Sequence, residues 1–160
     1  MPVRVVGSRE SAALDAAAIA GGIPSRALMR AAAYNAATVI CDRYPAELCR
    51  GVVVLTGPGN NGGDGWAVAA ALASAGIHVR VREVVPSRTP DAVAERAQWH
   101  GRADGGPLSC GVIVDAMLGT GSSGEVRDAM WDAATEISAA RSRGAVVVAL
   151  DVPSGLDGAT

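Results

Sequence analysis

Apolar and polar positions follow one another in blocks along this chain. Short apolar runs bounded by glycine or polar residues indicate buried strands, and longer stretches with apolar residues at helical spacing separate them. The predicted strands are 52–56, 77–85, 111–114 and 145–150, and the predicted helices are 9–20, 26–42, 65–75, 91–99 and 125–141. Behind its N-terminal helices this alternation predicts an α/β fold, a three-layer αβα, Rossmann-like, doubly wound and mostly parallel sheet. With the first strand central, the strand order is 2-1-3-4.

Composition bounds the class of protein. The 160 residues suffice for one domain, and the mix of 49% apolar and 19% charged residues is that of a globular chain. A net charge of −2 predicts neither nucleic acid nor a membrane surface as partner. Three cysteines without metal spacing, and no secretion signal or membrane-length apolar stretch, favour the cytoplasm.

Three polar, glycine-rich loops follow predicted strands. They are 57–65 (GPGNNGGDG), 115–125 (DAMLGTGSSGE) and 151–158 (DVPSGLDG). In a doubly wound sheet, the loops after the first, third and fourth strands lie near the point where strand order reverses, which is where such folds bind ligands. The sequence therefore predicts one cleft formed by all three loops.

The loops carry candidate chemistry. Asp115 and Asp151 each follow a predicted strand, and turn capping is the alternative role for such residues. Asn61, Asp115 and Ser154 offer hard oxygen ligands, which suit an alkali or alkaline-earth cation and not zinc.

The first loop also satisfies a dinucleotide-binding fingerprint. Its glycines are Gly57, Gly59 and Gly62, and Glu83 follows about 20 residues on. A NAD(P)-dependent oxidoreductase is therefore one alternative function. Pro58 removes a backbone donor from this turn, and Asn60–Asp64 is more polar than a pyrophosphate cradle requires.

The motifs GPGNNGGDG, VDAMLGTG and LDVPSGLDG, in this order, resemble the NAD(P)H-hydrate epimerase family, the N-terminal domain of the YjeF type. The opening helices, with Leu14-Asp15 and Leu28-Met29, are similar too. The resemblance implies an isomerase that equilibrates the R and S forms of hydrated NADH and NADPH (NADHX and NADPHX), which carry a hydroxyl at nicotinamide C6. It also implies a NAD(P)H-hydrate dehydratase as functional partner, separate or fused downstream, and a homodimer for the full-length protein.

The same resemblance implies roles for individual residues. Asp151 would contact the reacting nicotinamide and act as acid/base, and Asn61, Asp115 and Ser154 would hold one potassium ion per subunit. Besides Asp151, the implied substrate-binding residues are Asn60, Asn61, Gly62, Gly63, Asp64, Gly119, Thr120, Gly121, Ser122, Ser123, Gly124 and Glu125.

The length of the chain departs from the family pattern, and a second resemblance leaves another function open. Members of the family run several tens of residues further, so we expect residues 1–160 to be one domain of this type, truncated at its C-terminus. The continuous apolar run 145–150 agrees, because it is typical of a strand with neighbours on both sides. The fold also resembles a non-catalytic dimerisation module of mRNA-decapping scaffolds, which is the other alternative function.

Overall fold

The structure, a computed structural model, describes residues 7–121 and 128–156. The helices are α1 (Ser8–Ala20), α2 (Ser25–Arg43), α3 (Pro45–Leu48), α4 (Asn60–Ser74), α5 (Pro90–Ala97) and α6 (Ala129–Ser142). The strands are β1 (Val52–Thr56), β2 (Val79–Glu83), β3 (Arg102–Ala103), β4 (Val112–Ala116) and β5 (Val146–Ala149). Within these residues, no helix combines the length and apolarity needed to cross a membrane.

The five strands form one parallel sheet in the order β3-β2-β1-β4-β5. Strand β1 is central, with Val52 opposite Val79 of β2 on one side and Val112 of β4 on the other. The predicted parallel fold and the predicted order of the four longer strands are therefore confirmed. Strand β3 was not predicted, because two residues are too short for a periodic pattern.

Alternate residues of β1 supply the two cores of the domain. Val52 and Val54 belong to a cluster that includes buried residues of α2 and α4, on one face of the sheet. Val53 and Leu55 belong to the cluster on the other face, which includes Ala133 and Ile137 of α6. Because each strand of a buried parallel sheet must be apolar on both faces, the continuous apolar run in β1 follows from this layering.

A buried ion pair fixes one wall of the helical layer. Glu95 of α5 is only 5% exposed. Its carboxylate accepts hydrogen bonds from the Nε atoms of Arg26 (2.8 Å) and Arg30 (3.0 Å), both on α2. Since a buried carboxylate needs paired cations, this contact ties α5 to α2 beside α4.

Helix boundaries show where the sequence prediction was wrong. Helix α4 begins at Asn60 and not at residue 65, so the segment 60–64 forms the first turns of the helix. The prediction failed because glycine disfavours helix interiors. The predicted end of the second helix at residue 42 is confirmed to within one residue, since α2 ends at Arg43, but the short helix α3, which Pro45 opens with its favourable fixed φ, was not predicted. The predicted start of the last helix, at residue 125, lies outside the described residues.

The glycines of the turn between β1 and α4 permit backbone contacts that a side chain would block. A Cβ atom on Gly57 would lie 1.9 Å from the carbonyl oxygen of Met117, and one on Gly62 would lie 2.0 Å from the carbonyl oxygen of Gly57. The start of α4 therefore lies directly against the ends of β1 and β4, and any larger residue would push these segments apart.

We expect Gly57→Ala to destabilise the fold by more than about 3 kcal/mol, because its Cβ meets rigid backbone. Gly59→Ala is the matched control in the same turn. A Cβ there has nothing within 4 Å and its φ of −93° suits alanine, so the change should stay within about 1 kcal/mol. Urea denaturation of both variants measures the difference, and equal midpoints would contradict the argument.

Candidate active site

An open cleft of about 900 Å³ lies at the carboxyl ends of the parallel strands. Its walls come from α1, the turn between β1 and α4, the start of α4, the segment 117–121 and Asp151. The predicted substrate residues that line it are Asn60, Asn61, Asp64, Gly119, Thr120, Gly121 and Asp151. The predicted convergence of three loops on one cleft is thus what the structure has.

The other predicted substrate residues divide into two groups. Gly62 and Gly63 are buried inside α4, with Gly62 against Gly57 and Gly63 against Met29. They shape the helix start and are not among the residues that line the cleft. Ser122, Ser123, Gly124 and Glu125 lie outside the described residues.

Asp115, at the end of β4, links two of the loops. Its carboxylate is 5% exposed and accepts hydrogen bonds from Ser154 N (2.8 Å), Ser154 Oγ (2.6 Å) and Met117 N (3.2 Å). Ser154 Oγ in turn accepts a hydrogen bond from Leu118 N (3.0 Å). The capping role that the sequence left open for Asp115 is therefore real, because the carboxylate holds two chain segments.

Asn61 connects the glycine-rich segment 57–65 to Asp115 and Ser154. Its Nδ2 donates to the carbonyl oxygen of Leu118 at 2.8 Å, which leaves its side-chain oxygen available. Hydrogen bonds through Leu118 thus connect Asn61, Asp115 and Ser154, whose side chains contain amide, carboxylate and hydroxyl oxygens. Such donors fit a hard cation. Among the described residues, no three His, Cys, Asp or Glu side chains gather into a group that could hold a metal ion.

Asp151 follows β5 in a left-handed backbone conformation, with φ of +66°. Its Oδ2 accepts hydrogen bonds from the backbone N–H of Thr120 (2.6 Å) and from Thr120 Oγ1 (2.9 Å). Gly119 leaves room for this contact, because a Cβ there would lie 2.6 Å from the same oxygen. The carboxylate is therefore fixed by two donors and still lines the cleft.

Asp64 lies on α4, one turn beyond the start of the helix. Burial, together with the negative charges of Asp151 and Asp15, raises its pKa to about 7. Among the described residues no hydrogen bond or ion pair stabilises its carboxylate. The sequence predicted Asp64 as a substrate contact, and it gave no signal of a perturbed pKa, because burial beside two acids depends on packing.

A smaller recess of about 260 Å³ is also lined by Asp64 and Asp151. Its apolar wall consists of Ala32, Ala33, Ala36, Val68 and Leu150. The small side chains of α2 leave this space open beside α4. The two carboxylates therefore share both the polar cleft and a mostly apolar recess.

Two cleft residues escaped the sequence analysis as site residues. Asp15 of α1 lines the cleft, although it was noted only for its resemblance to the family opening. Thr89, which precedes α5, also lines the cleft, and its Oγ1 is buried without a hydrogen-bond partner in the described part of the chain. A threonine before a proline indicates a helix start, but not that its hydroxyl faces a ligand site.

Glu83 does not take the part that the dinucleotide fingerprint requires. Its carboxylate accepts hydrogen bonds from Ser87 N (3.0 Å), Ser87 Oγ (3.1 Å) and Arg96 Nε (2.8 Å). It is not among the residues that line the cleft. The acidic residue is engaged within the protein, so the geometry gives no support to ribose binding by this group.

Fold and cleft define an α/β protein with an open cleft at the carboxyl ends of its parallel strands, where such folds bind ligands. The family described as "YjeF-related protein N-terminus" matches residues 25–160. The chain is 39% identical over 144 residues to the NAD(P)H-hydrate epimerase of Limosilactobacillus reuteri (strain DSM 20016), covering 85% of this chain and 66% of that protein. It is 34% identical to the NAD(P)H-hydrate epimerase of Pirellula staleyi, covering 96% of this chain and 73% of that protein. The chain belongs to the YjeF N-terminal family.

Longer proteins and a solved structure are similar as well. The bifunctional NAD(P)H-hydrate repair enzyme of Thermanaerovibrio acidaminovorans is 34% identical, over 91% of this chain and 30% of that protein. The crystal structure of yeast ynu0 superimposes with a TM-score of 0.80 at 25% identity, over 97% of this chain and 72% of that one. The chain thus spans about two thirds of the Limosilactobacillus relative and under a third of the bifunctional one.

We expect the stability of the protein to fall as pH rises from about 4 to about 7. The folded-state pKa of Asp64, about 7, exceeds the ordinary aspartate value of 3.8, so the folded state binds more protons in this range. Deprotonation should therefore cost on the order of 2–4 kcal/mol. Asp64→Asn should be more stable than wild type at pH 8 and should lose this part of the pH dependence. Urea denaturation at pH 5 and pH 8 measures both effects, with Asp132→Asn, at an exposed position of α6, as control.

Proposed function

We propose that this chain epimerises the R and S forms of hydrated NADH and NADPH (NADHX and NADPHX), a repair reaction for nicotinamide cofactors. The observation that carries the proposal is the single cleft that contains the start of α4 and the carboxylates of Asp64 and Asp151. The relatives named NAD(P)H-hydrate epimerase, at 34–39% identity over most of this chain, support the same reaction.

The start of α4 suits the pyrophosphate of this substrate. The first amides of a helix have no partner inside it, and its dipole favours negative charge there. The first turn begins with Asn60, Asn61 and Gly62, and Gly63 N is the donor to the carbonyl of Gly59 (3.2 Å). We place the phosphates at these amides and the second substrate contact at Gly119, Thr120 and Gly121, continuing into 122–125.

Asp151 serves as acid/base at the nicotinamide ring. Its carboxylate is oriented by both donors of Thr120 and lines the cleft. A carboxylate fixed in this way can take or return a proton as the bond between C6 and its hydroxyl breaks and reforms.

A potassium ion fits the oxygens of Asn61, Asp115 and Ser154. When bound, it would supply positive charge to a cleft lined by carboxylates and facing an anionic substrate. Since these residues already connect three segments of the cleft wall, the ion would also fix their relative positions.

The setting of the reaction follows from its chemistry. A NAD(P)H-hydrate dehydratase is the functional partner, and the bifunctional relatives support this, since they carry a repair-enzyme name on a longer chain. We further propose a homodimer as the full-length form and the cytoplasm as its compartment. The free thiols of Cys41, Cys49 and Cys110 are consistent with reducing surroundings.

Asp151→Asn should slow epimer exchange by roughly 10²–10⁴-fold, the usual contribution of a positioned acid/base. Asparagine tolerates the left-handed φ at this position, so the fold should persist. NMR exchange between the NADPHX epimers measures the rate, and Asp132→Asn serves as control. A near-wild-type rate in Asp151→Asn would remove Asp151 from the mechanism.

Mixing the protein with hydrated NADPH and, separately, with plain NADPH distinguishes the alternative functions. Oxidation of plain NADPH without epimer exchange would indicate an oxidoreductase. Neither exchange nor oxidation by the wild-type chain would favour an interaction module. Exchange of the hydrate epimers alone is the result that the proposed function requires.

Asp115→Ala should abolish stabilisation by potassium. An ion at 100 times its dissociation constant stabilises a folded protein by about 2.7 kcal/mol, so wild type should melt higher in potassium than in tetramethylammonium. The variant should melt lower in both salts, because it loses three hydrogen bonds, and should show no difference between them. Identical melting of wild type in the two salts would contradict the potassium site.

A further inference from the structure

We propose that Asp64 is a second catalytic acid/base of this cleft, which acts on the same substrate ring as Asp151. The inference rests on the proposed epimerase function and deepens it. It assigns the two faces of the ring at C6 to two different carboxyl groups, that of Asp64 on α4 and that of Asp151 after β5.

The placement of the two groups carries the first step. Asp64 and Asp151 line both the open cleft and the adjoining recess, so a ring entering the recess from the cleft would meet both. They belong to different elements, since Asp64 lies on α4 and Asp151 follows β5. Two carboxyl groups reaching one ring from different elements are what addition and removal of a hydroxyl on opposite faces requires.

The surroundings of the two carboxyl groups differ. Asp151 accepts two hydrogen bonds from Thr120, which fix its position at the cleft. Asp64 receives no hydrogen bond from the described residues, and the charges facing it are those of Asp151 and of Asp15 on α1. The residues of α2 that line the recess with Asp64 are Ala32, Ala33 and Ala36. Two acids whose environments push their proton affinities apart are the usual basis of an acid and a base in one site.

The proposed reaction removes water from one face of C6 and adds water to the other face, with one proton transfer in each half. Asp64 donates its proton to the C6 hydroxyl, and the C6–O bond breaks as the ring nitrogen lone pair forms a C6–N double bond, releasing water. A water molecule then adds to C6 from the opposite face and gives a proton to Asp151, while the double-bond electrons return to nitrogen. The product is the other epimer, with the proton now on Asp151. Transfer of this proton to Asp64, directly or through water, resets the site, and the reverse reaction begins from the other protonation state.

The test compares Asp64→Asn, Asp64→Glu and wild type by NMR exchange of the epimers between pH 5 and pH 9. We expect Asp64→Asn to lower kcat by roughly 10²–10⁴-fold with KM within about threefold. Wild-type exchange should fall above about pH 7, where Asp64 loses its proton, and this decline should vanish in Asp64→Asn. Asp64→Glu keeps the acid and should recover part of the rate, whereas Asp132→Asn should match wild type.

Each outcome decides between the two proposals. No exchange by wild type overturns the proposed function and this inference with it. Exchange by wild type together with an unchanged rate and pH profile in Asp64→Asn overturns the role of Asp64 alone. A change confined to KM does the same, because it would make Asp64 only a substrate contact. Denaturation curves of each variant confirm that the folded protein is compared.

Discussion

The buried carboxylate of Asp115 is the interaction on which the cleft depends. It lies at the end of β4, next to the central strand, and binds the backbone N–H and the hydroxyl of Ser154. The hydroxyl oxygen of Ser154 accepts a hydrogen bond from Leu118 N, and the carbonyl oxygen of Leu118 accepts one from Asn61 Nδ2. Three segments distant in sequence are thereby fixed by one charged group. A buried carboxylate is tolerated only when hydrogen-bonded, so the residues that satisfy it also position the cleft.

The parallel sheet was predictable because its signal is local and repeated. Each long strand is a short apolar run ending at polar residues, and helical spacing lies between the runs. The first turns of α4 were not predictable by propensity, because Gly62 is favoured there by contact with the Gly57 carbonyl and not by its intrinsic helix preference. Strand β3 has only two residues, and its pairing with β2 is a tertiary fact.

The site divides along similar lines. Asp115, Ser154 and Asn61 were identifiable because each lies at or shortly after the end of a predicted strand, and parallel topology brings these strand ends together. The buried hydroxyl of Thr89 and the contribution of Asp15 from α1 depend on how helices pack over the cleft, which residue spacing does not encode. The perturbed acid was hidden for the same reason, because it needs the alanines of α2 and the neighbouring carboxylates at once.

The position of Asp64 along α4 explains why burial outweighs the helix dipole there. The favourable effect of a helix N-terminus on an anion falls off within the first turn, and Asp64 is the fifth residue of α4. Asn60 and Asn61, which precede it in the first turn, line the cleft, and amides at a helix start suit an anionic ligand, while the carboxyl of Asp64 is left with desolvation and two like charges. One helix start can thus favour a negative ligand and a neutral acid a turn apart. Keeping the carboxyl of Asp64 buried beside two other acidic groups lowers the stability of the folded protein, a cost that is common where a functional site requires an unfavourable environment.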